Sequence, residues 1–151
     1  LEVFNNYLGV KEIIWLSHGI EGDDTHGHVD DITRFVNVNT VITAVEPNKK
    51  EKNHAILAEN LKRLKKTNLN IVELPMPKPV YFDGVRLPAS YANFLITNNV
   101  VLVPTFSCSN DRLALNIISE VFKDREVQGI HASDLVVGLG TIHCLSQQEP
   151  A

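Results

Sequence analysis

The stretch Gly22-Asp23-Asp24-Thr25-His26-Gly27-His28-Val29-Asp30-Asp31 holds four carboxylates and two imidazoles within ten residues. Groups of this kind move protons near neutral pH and grip cations. Composition alone also fits a hydrated acidic loop with incidental histidines. A chemical reading needs a nucleophile, and the chain offers two thiols, Cys108 and Cys144. Cys144 is the better candidate, because the approach Gly138-Leu139-Gly140-Thr141 leaves a thiol accessible and lets the backbone come close to a ligand. Thiolate is the reactive form, favoured beside a protonated histidine or a bound cationic substrate. His28 would then move protons, and Asp30 would aim a carboxylate at a cation. Cys108, in Phe106-Ser107-Cys108-Ser109, reads as a half-structural thiol between strand and helix. His143 adjoins Cys144, but neighbours on a strand face opposite ways, so the pair is not expected to act together.

A second chemical reading is a metal site. His26-x-His28-x-Asp30 resembles the opening of the H-x-H-x-D-H motif of metallo-β-lactamase-like hydrolases, a zinc site with an open position for water. Asp31 stands where that motif ends in histidine. His54, His131 and His143 lie in or beside predicted helices and strands, with no loop that obviously returns to the cluster.

The elements that would position these groups repeat. Arg34 to Ala44 matches Asn93 to Val103 at an offset of 59, with Phe35 meeting Phe94, Asn39 meeting Asn98 and Val41 meeting Val100. Each copy reads as strand, tight Asn-containing turn and strand. A helix is then expected from about Glu51 to Lys66, striped by Leu57, Leu61 and Leu64, with Asn48 and Glu51 as a capping pair. Its counterpart runs from a cap at Asn110 to about Phe122, striped by Leu113, Ile117 and Val121. Strands close the units at Asn70 to Leu74 and Glu126 to His131, giving strand–strand–helix–strand repeats over about 33–74 and 92–133. Units of about 40 residues seldom bury enough apolar surface to stand alone. Glu12 to Ser17 looks like a buried strand whose partner is not in the chain, and the segment after Gly138 ends without another helix.

The 151 residues, 44% hydrophobic and 21% charged, describe a globular chain rather than a disordered one. A net charge of −4 argues against a nucleic-acid partner. The basic run Lys62-Arg63 to Lys65-Lys66 falls on a predicted helix, as a solvated face. No apolar run approaches the roughly 20 residues of a membrane span, and no signal peptide is visible. Two cysteines are too few for a disulfide scaffold, so free thiols in a reducing, cytoplasmic setting are expected. The chain starts at Leu1 and its single methionine is Met76, which suggests a processed chain or a piece of a longer one.

Taken in order, several strings resemble the second half of agmatine deiminases, which group with Porphyromonas-type peptidyl-arginine deiminases. They are Trp15-Leu16, Gly22 to Thr25, Gly27 to Asp31, Arg34-Phe35, Leu74 to Pro77, Arg86 to Phe94, Val103 to Phe106, Asn110-Asp111 and Gly140 to Gln148. The resemblance implies an α/β pentein fold, in which five strand–strand–helix–strand modules ring a central site. About two full modules and parts of others would lie here, with the N-terminal half absent. It implies hydrolysis of a guanidino compound, agmatine above all, to N-carbamoylputrescine and ammonia; arginine and peptidyl arginine are the other substrates in view. By the matching motifs Cys144 would attack the guanidinium carbon, His28 would pass protons, Asp30 would hold the guanidinium nitrogens and Gly140 would contact substrate. No cofactor or metal is implied. A homo-oligomer or complementing N-terminal modules are the expected partners, since the second substrate-binding aspartate and a further acidic residue belong to the missing half. The 151-residue chain alone is therefore expected to be inactive or nearly so. A zinc hydrolase using His26, His28 and Asp30, or a fragment without turnover, are the alternatives.

Overall fold

Tight turns built on asparagine let neighbouring extended stretches fold back on each other, and both expected hairpins form. The computed structural model describes residues 2–25 and 27–149. A short helix, α1 (Glu2–Leu8), buries none of its residues. Strand β1 (Thr33–Asn37) then pairs antiparallel with β2 (Thr40–Val45), a crossover helix α2 (Asn53–Leu64) follows, and β3 (Asn70–Pro75) returns parallel to β2. A small ribbon, β4 (Tyr81–Phe82) with β5 (Val85–Arg86), leads to the second unit. There β6 (Leu95–Ile96) is antiparallel to β7 (Val100–Thr105), α3 (Asp111–Val121) crosses over, and β8 (Glu126–His131) lies parallel to β7. Both three-stranded sheets have the same order, first–second–third strand.

The ladders fix the phase of the repeat. Thr40 pairs with Asn70 and Val100 with Glu126, so the equivalent positions are Thr40 and Val100, sixty residues apart rather than fifty-nine. A bulge between Phe35 and Asn37 gives β1 an extra residue that β6 lacks, so in the first strands the ladders carry Phe35 onto Ile96, sixty-one residues on. The letter match of Phe35 with Phe94 therefore joins positions that are not equivalent: Phe35 lies in β1 and is 57% exposed, while Phe94 precedes β6 and is fully buried.

Packing explains the other departures from the sequence pattern. Helix α3 lies against β3 of the first unit as well as its own β8, so its buried residues are Ala114 and Ile118, and Leu113 faces outward. Ile42 and Leu74 of the first unit share one core with Tyr91, Phe94, Val101 and Ile118 of the second. Asn48 does not cap α2, because its side chain accepts from the Lys50 N–H in a turn ahead of the helix. Asn110 donates to the Met76 carbonyl instead of capping α3.

Glu12 to Ser17 is extended but is not a strand, and Trp15 is 67% exposed. Side chains of α2 take the place of a neighbouring strand here. Asn60 accepts from the Ser17 N–H and donates to the His18 carbonyl, Arg63 donates to the Trp15 and Leu16 carbonyls, and Asn53 accepts from the Glu21 N–H. Asn53 and Asn60 are buried for this reason, as polar spokes in an otherwise apolar helix face. Gly22 completes the bend with φ +95°, where a Cβ would lie 2.7 Å from the Arg86 carbonyl oxygen. Among the described residues no helix is long and apolar enough to cross a membrane.

Candidate active site

Three chain segments meet in front of the sheets: the loop leading into β1, the segment before β6 and the turn holding Cys144. Asp30 sits in a single 3₁₀ turn, Val29–Asp31, which presents its carboxylate just ahead of β1. Cys144 lies in a helical turn in which the Leu145 N–H reaches the Thr141 carbonyl, not in a strand. The two side chains converge, Sγ standing 3.3 Å from Asp30 Oδ2.

The turn also brings in His143, contrary to the expectation that it faces away from its neighbour's chemistry. Alternation holds only in extended backbone, and here His143 Nδ1 donates to Asp30 Oδ2 at 2.7 Å. Gly138, Gly140 and Thr141 are the sequence signals for a turn that a strand reading overlooks. Gly140 is required by contact, since a Cβ there would lie 2.7 Å from Cys144 Cβ and 3.0 Å from its sulfur.

Asn93 links the segments. Fully buried, it donates from Nδ2 to Cys144 Sγ at 2.9 Å and to Asp30 Oδ2 and Asp31 Oδ1 at 3.0 Å each. Its Oδ1 accepts from Thr141 Oγ1, the His143 N–H and the Cys144 N–H. Nothing in its sequence setting, between Ala92 and Phe94, marks an asparagine as a hub. A buried polar residue is legible only once its partners are in place.

His28 has a separate, local setting. The side chain of Asp23 is fully buried and accepts from the Thr25 N–H and hydroxyl, from the His28 N–H at 2.7 Å and from His28 Nδ1 at 2.9 Å. Among the described residues His28 makes no hydrogen bond to Asp30 or Cys144. The proposed zinc trio is divided as well: His28 groups with Asp23 and Asp24, Asp30 groups with Asp31 and Cys144, and His26 lies outside the described residues.

The charges follow from these contacts. Burial raises the Cys144 thiol above its ordinary value, the Asn93 amide opposes this and the Asp30 carboxylate adds to it, so the resting group is a thiol. Burial would raise Asp30 too, but the hydrogen bonds from His143 and Cys144 outweigh it and hold the carboxylate low. Burial works to lower His28, yet the Asp23 hydrogen bond and the charges of Asp23, Asp30 and Asp31 leave its imidazole raised. Asp31 is pushed up to about 7, first by burial and then by Asp30 beside it. Its Oδ2 is buried without a partner among the described residues. Arg34 lies near this anionic cluster: burial lowers its pKa, and Asp30, Cys144 and Asp31 act to raise it.

A cleft of about 440 Å³ opens beside the cluster, lined by Asp30, Arg34 and His143 together with the apolar Ile14, Leu16 and Leu64. A neighbouring cleft of about 540 Å³ exposes Phe4, Trp15, Val29 and Phe35. The arrangement offers a sulfur that can serve as a nucleophile, a fixed carboxylate for a cation and an imidazole whose protonated form Asp23 favours.

Residues 2–150 match the family model of the Porphyromonas-type peptidyl-arginine deiminases. A Marinomonas sp. (strain MWYL1) relative named "Putative agmatine deiminase" is 36% identical over 95% of this chain and 45% of its own length. Among solved structures, a C. jejuni agmatine deiminase with one cysteine changed to serine and substrate bound superimposes with a TM-score of 0.90 at 33% identity, over 94% of this chain and 43% of that one. The Enterococcus faecalis agmatine deiminase gives 0.91 at 31% identity, over 99% and 47%. The chain thus spans a little under half the length of the relatives it matches.

Proposed function

The chain belongs to the Porphyromonas-type peptidyl-arginine deiminase family, and from that premise we propose that it carries the nucleophile half of a guanidino-group hydrolase acting on agmatine. The observation that carries the reading is the approach of Cys144 Sγ to Asp30 Oδ2, 3.3 Å, with both held by one buried amide. A guanidinium is planar, delocalised and a poor electrophile, so a carboxylate must fix its edge while sulfur meets its face. Asp30 supplies the edge contact. The incoming cation also favours loss of the Cys144 proton to solvent, offsetting the burial that keeps the resting group a thiol.

The sulfur then bonds to the guanidinium carbon and the bond to one terminal nitrogen breaks. His28, whose protonated form Asp23 favours, gives that nitrogen a proton, and ammonia leaves a thiouronium on Cys144. Water next loses a proton to His28 and adds to the same carbon. The C–S bond breaks as the added hydroxyl gives its remaining proton to solvent, the thiolate returns and a neutral urea, N-carbamoylputrescine from agmatine, departs. Gly140 contributes backbone beside the reacting carbon, its missing side chain leaving the sulfur uncovered.

The fold in this proposal is part of a five-module pentein ring, and residues 33–75 and 95–131 form two modules. The remaining modules, N-terminal in the family, would cover the apolar cleft at Phe4, Trp15 and Phe35 and bring the second guanidinium-binding carboxylate. Arginine and peptidyl arginine are the competing substrates, and the family's description supports keeping the latter. A zinc hydrolase is not favoured by these relatives or by the division of His28 from Asp30.

Ammonia release from agmatine, free arginine and an arginine peptide tests this, with the 151-residue chain assayed alone and together with the N-terminal portion of a family member. The expected result is agmatine turnover only in the mixture, abolished by Cys144→Ala. Turnover that survives Cys144→Ala overturns the mechanism, and robust turnover by the chain alone overturns the incompleteness of the site.

A further inference from the structure

Arg34 takes no part in the steps above, yet it reaches the same site from a different unit. Its Nη1 donates to the Phe94 carbonyl at 2.7 Å and to the Ala92 carbonyl at 3.3 Å. The guanidinium carbon lies 5.0 Å from the centre of the Phe94 ring. Those two carbonyls flank Asn93, whose amide donates to Cys144 and Asp30.

We infer that Arg34 is a positioning residue: by bridging the carbonyls on either side of Asn93, it fixes where that amide points and, through it, the sulfur of Cys144. This rests on Cys144 being the nucleophile of the proposed reaction. A charged donor makes stronger hydrogen bonds than a neutral one, and a flat guanidinium can stack on a ring while it donates. Asn93 needs such support because it stands outside the ladder, two residues ahead of β6, itself a strand of only two residues. Arg34 is held in the β1–β2 ladder opposite Ile42, with Phe35 exposed beside it. Without the bridge the backbone on either side of Asn93 would lose its tie to β1, and the 2.9 Å contact from Asn93 to sulfur would loosen.

The rate of Cys144 alkylation by iodoacetamide against pH reads this contact without requiring turnover. It is followed peptide by peptide in the 151-residue chain, so that Cys108 does not interfere. The groups facing the sulfur are Asp30, with His143 behind it, and Asp31 and Arg34 within electrostatic reach. Arg34→Met should slow alkylation at mildly alkaline pH about tenfold and move its midpoint upward, the loss expected for one hydrogen bond to a charged group. Asn93→Ala should do the same, and the double variant should be no slower than Asn93→Ala alone. A wild-type profile in Arg34→Met, or full additivity in the double variant, overturns the inference and leaves Cys144 free to be the nucleophile. Should Arg34→Met fail to fold, Arg34→Lys decides: a slowing of about threefold is expected from the lost planar contact with Phe94, and an unchanged rate refutes the positioning role. Failure of the underlying reaction would appear instead as turnover that survives Cys144→Ala.

Discussion

Asp30 and His28 stand two residues apart, yet they belong to differently built halves of the site. Asp30 is tied to Asn93, His143 and Cys144, partners 63, 113 and 114 residues away in the chain. His28 is tied to Asp23 and Thr25, five and three residues away, and its side chain remains 44% exposed. The first half exists only when the two units and the final turn have come together. The second can be set by its own loop, with the buried carboxylate of Asp23 as its anchor. A nucleophile needs a fixed bearing on a carbon atom, whereas a group that passes protons can tolerate some freedom. The contrast in construction matches the contrast in duty that the proposed reaction assigns to the two halves.

The comparison is sharpened most by Asn93→Ala. It leaves Thr141, the Asp31 carboxyl and the Cys144 N–H short of partners in a buried setting, while the His143 N–H keeps the Asn93 backbone carbonyl, so a loss on the order of 3 kcal/mol is expected in urea unfolding. A loss near zero would mean the long-range half holds itself together by other means. His28→Ala should cost far less, because its bonds are local and half in water.

Asp31→Asn comes next, through pH. The folded carboxyl holds its proton up to about 7 against an ordinary 3.8. A raised acid stabilises the fold below the unfolded value and loses that benefit as pH rises through the folded one. Stability should therefore fall between about pH 4 and 7, and the amide variant should flatten the slope, gaining on the order of 2 kcal/mol at pH 8. An unchanged slope in thermal melts across that range would show that Asp31 is ionised in the fold.

Gly140→Ala should cost about 1–2 kcal/mol, since the added methyl meets Cys144 and the turn must shift. The measurement that decides is alkylation of Cys144, which should fall with it. Smallest is the effect of Asp23→Asn. It should return the His28 titration, followed by NMR, toward the ordinary imidazole value, because the raising hydrogen bond and charge both weaken. The stabilisation from this pair is complete below the ordinary value and fades as pH climbs through the raised one. A midpoint that does not move would assign the shift to Asp30 and Asp31 instead.

The strand–strand–helix–strand units were legible because turns, helix periodicity and β-branched runs are local properties. The strands at Asn70 and Glu126 begin where the pattern places them. The phase of the repeat was not legible, since letter identity at Phe35 and Phe94 outweighs a bulge that only pairing reveals. Trp15 and its neighbours satisfy every local criterion for a buried strand, but a strand needs another strand, and α2 supplies asparagines instead. In the candidate site, motifs point to Cys144 and Asp30, which the structure sets 3.3 Å apart, while nothing local points to Asn93 or His143. Asn93 is defined by partners on three segments, and His143 depends on the backbone winding into a turn.

The bulge in β1 also sets a rule for anyone recombining these units. Grafting β6 and β7 in place of β1 and β2 by matching phenylalanines would splice the second strand one residue out of step and the first strand two. A viable chimera must join at a spacing of sixty-one residues before the bulge and sixty after it, so the irregularity decides where each strand can be cut.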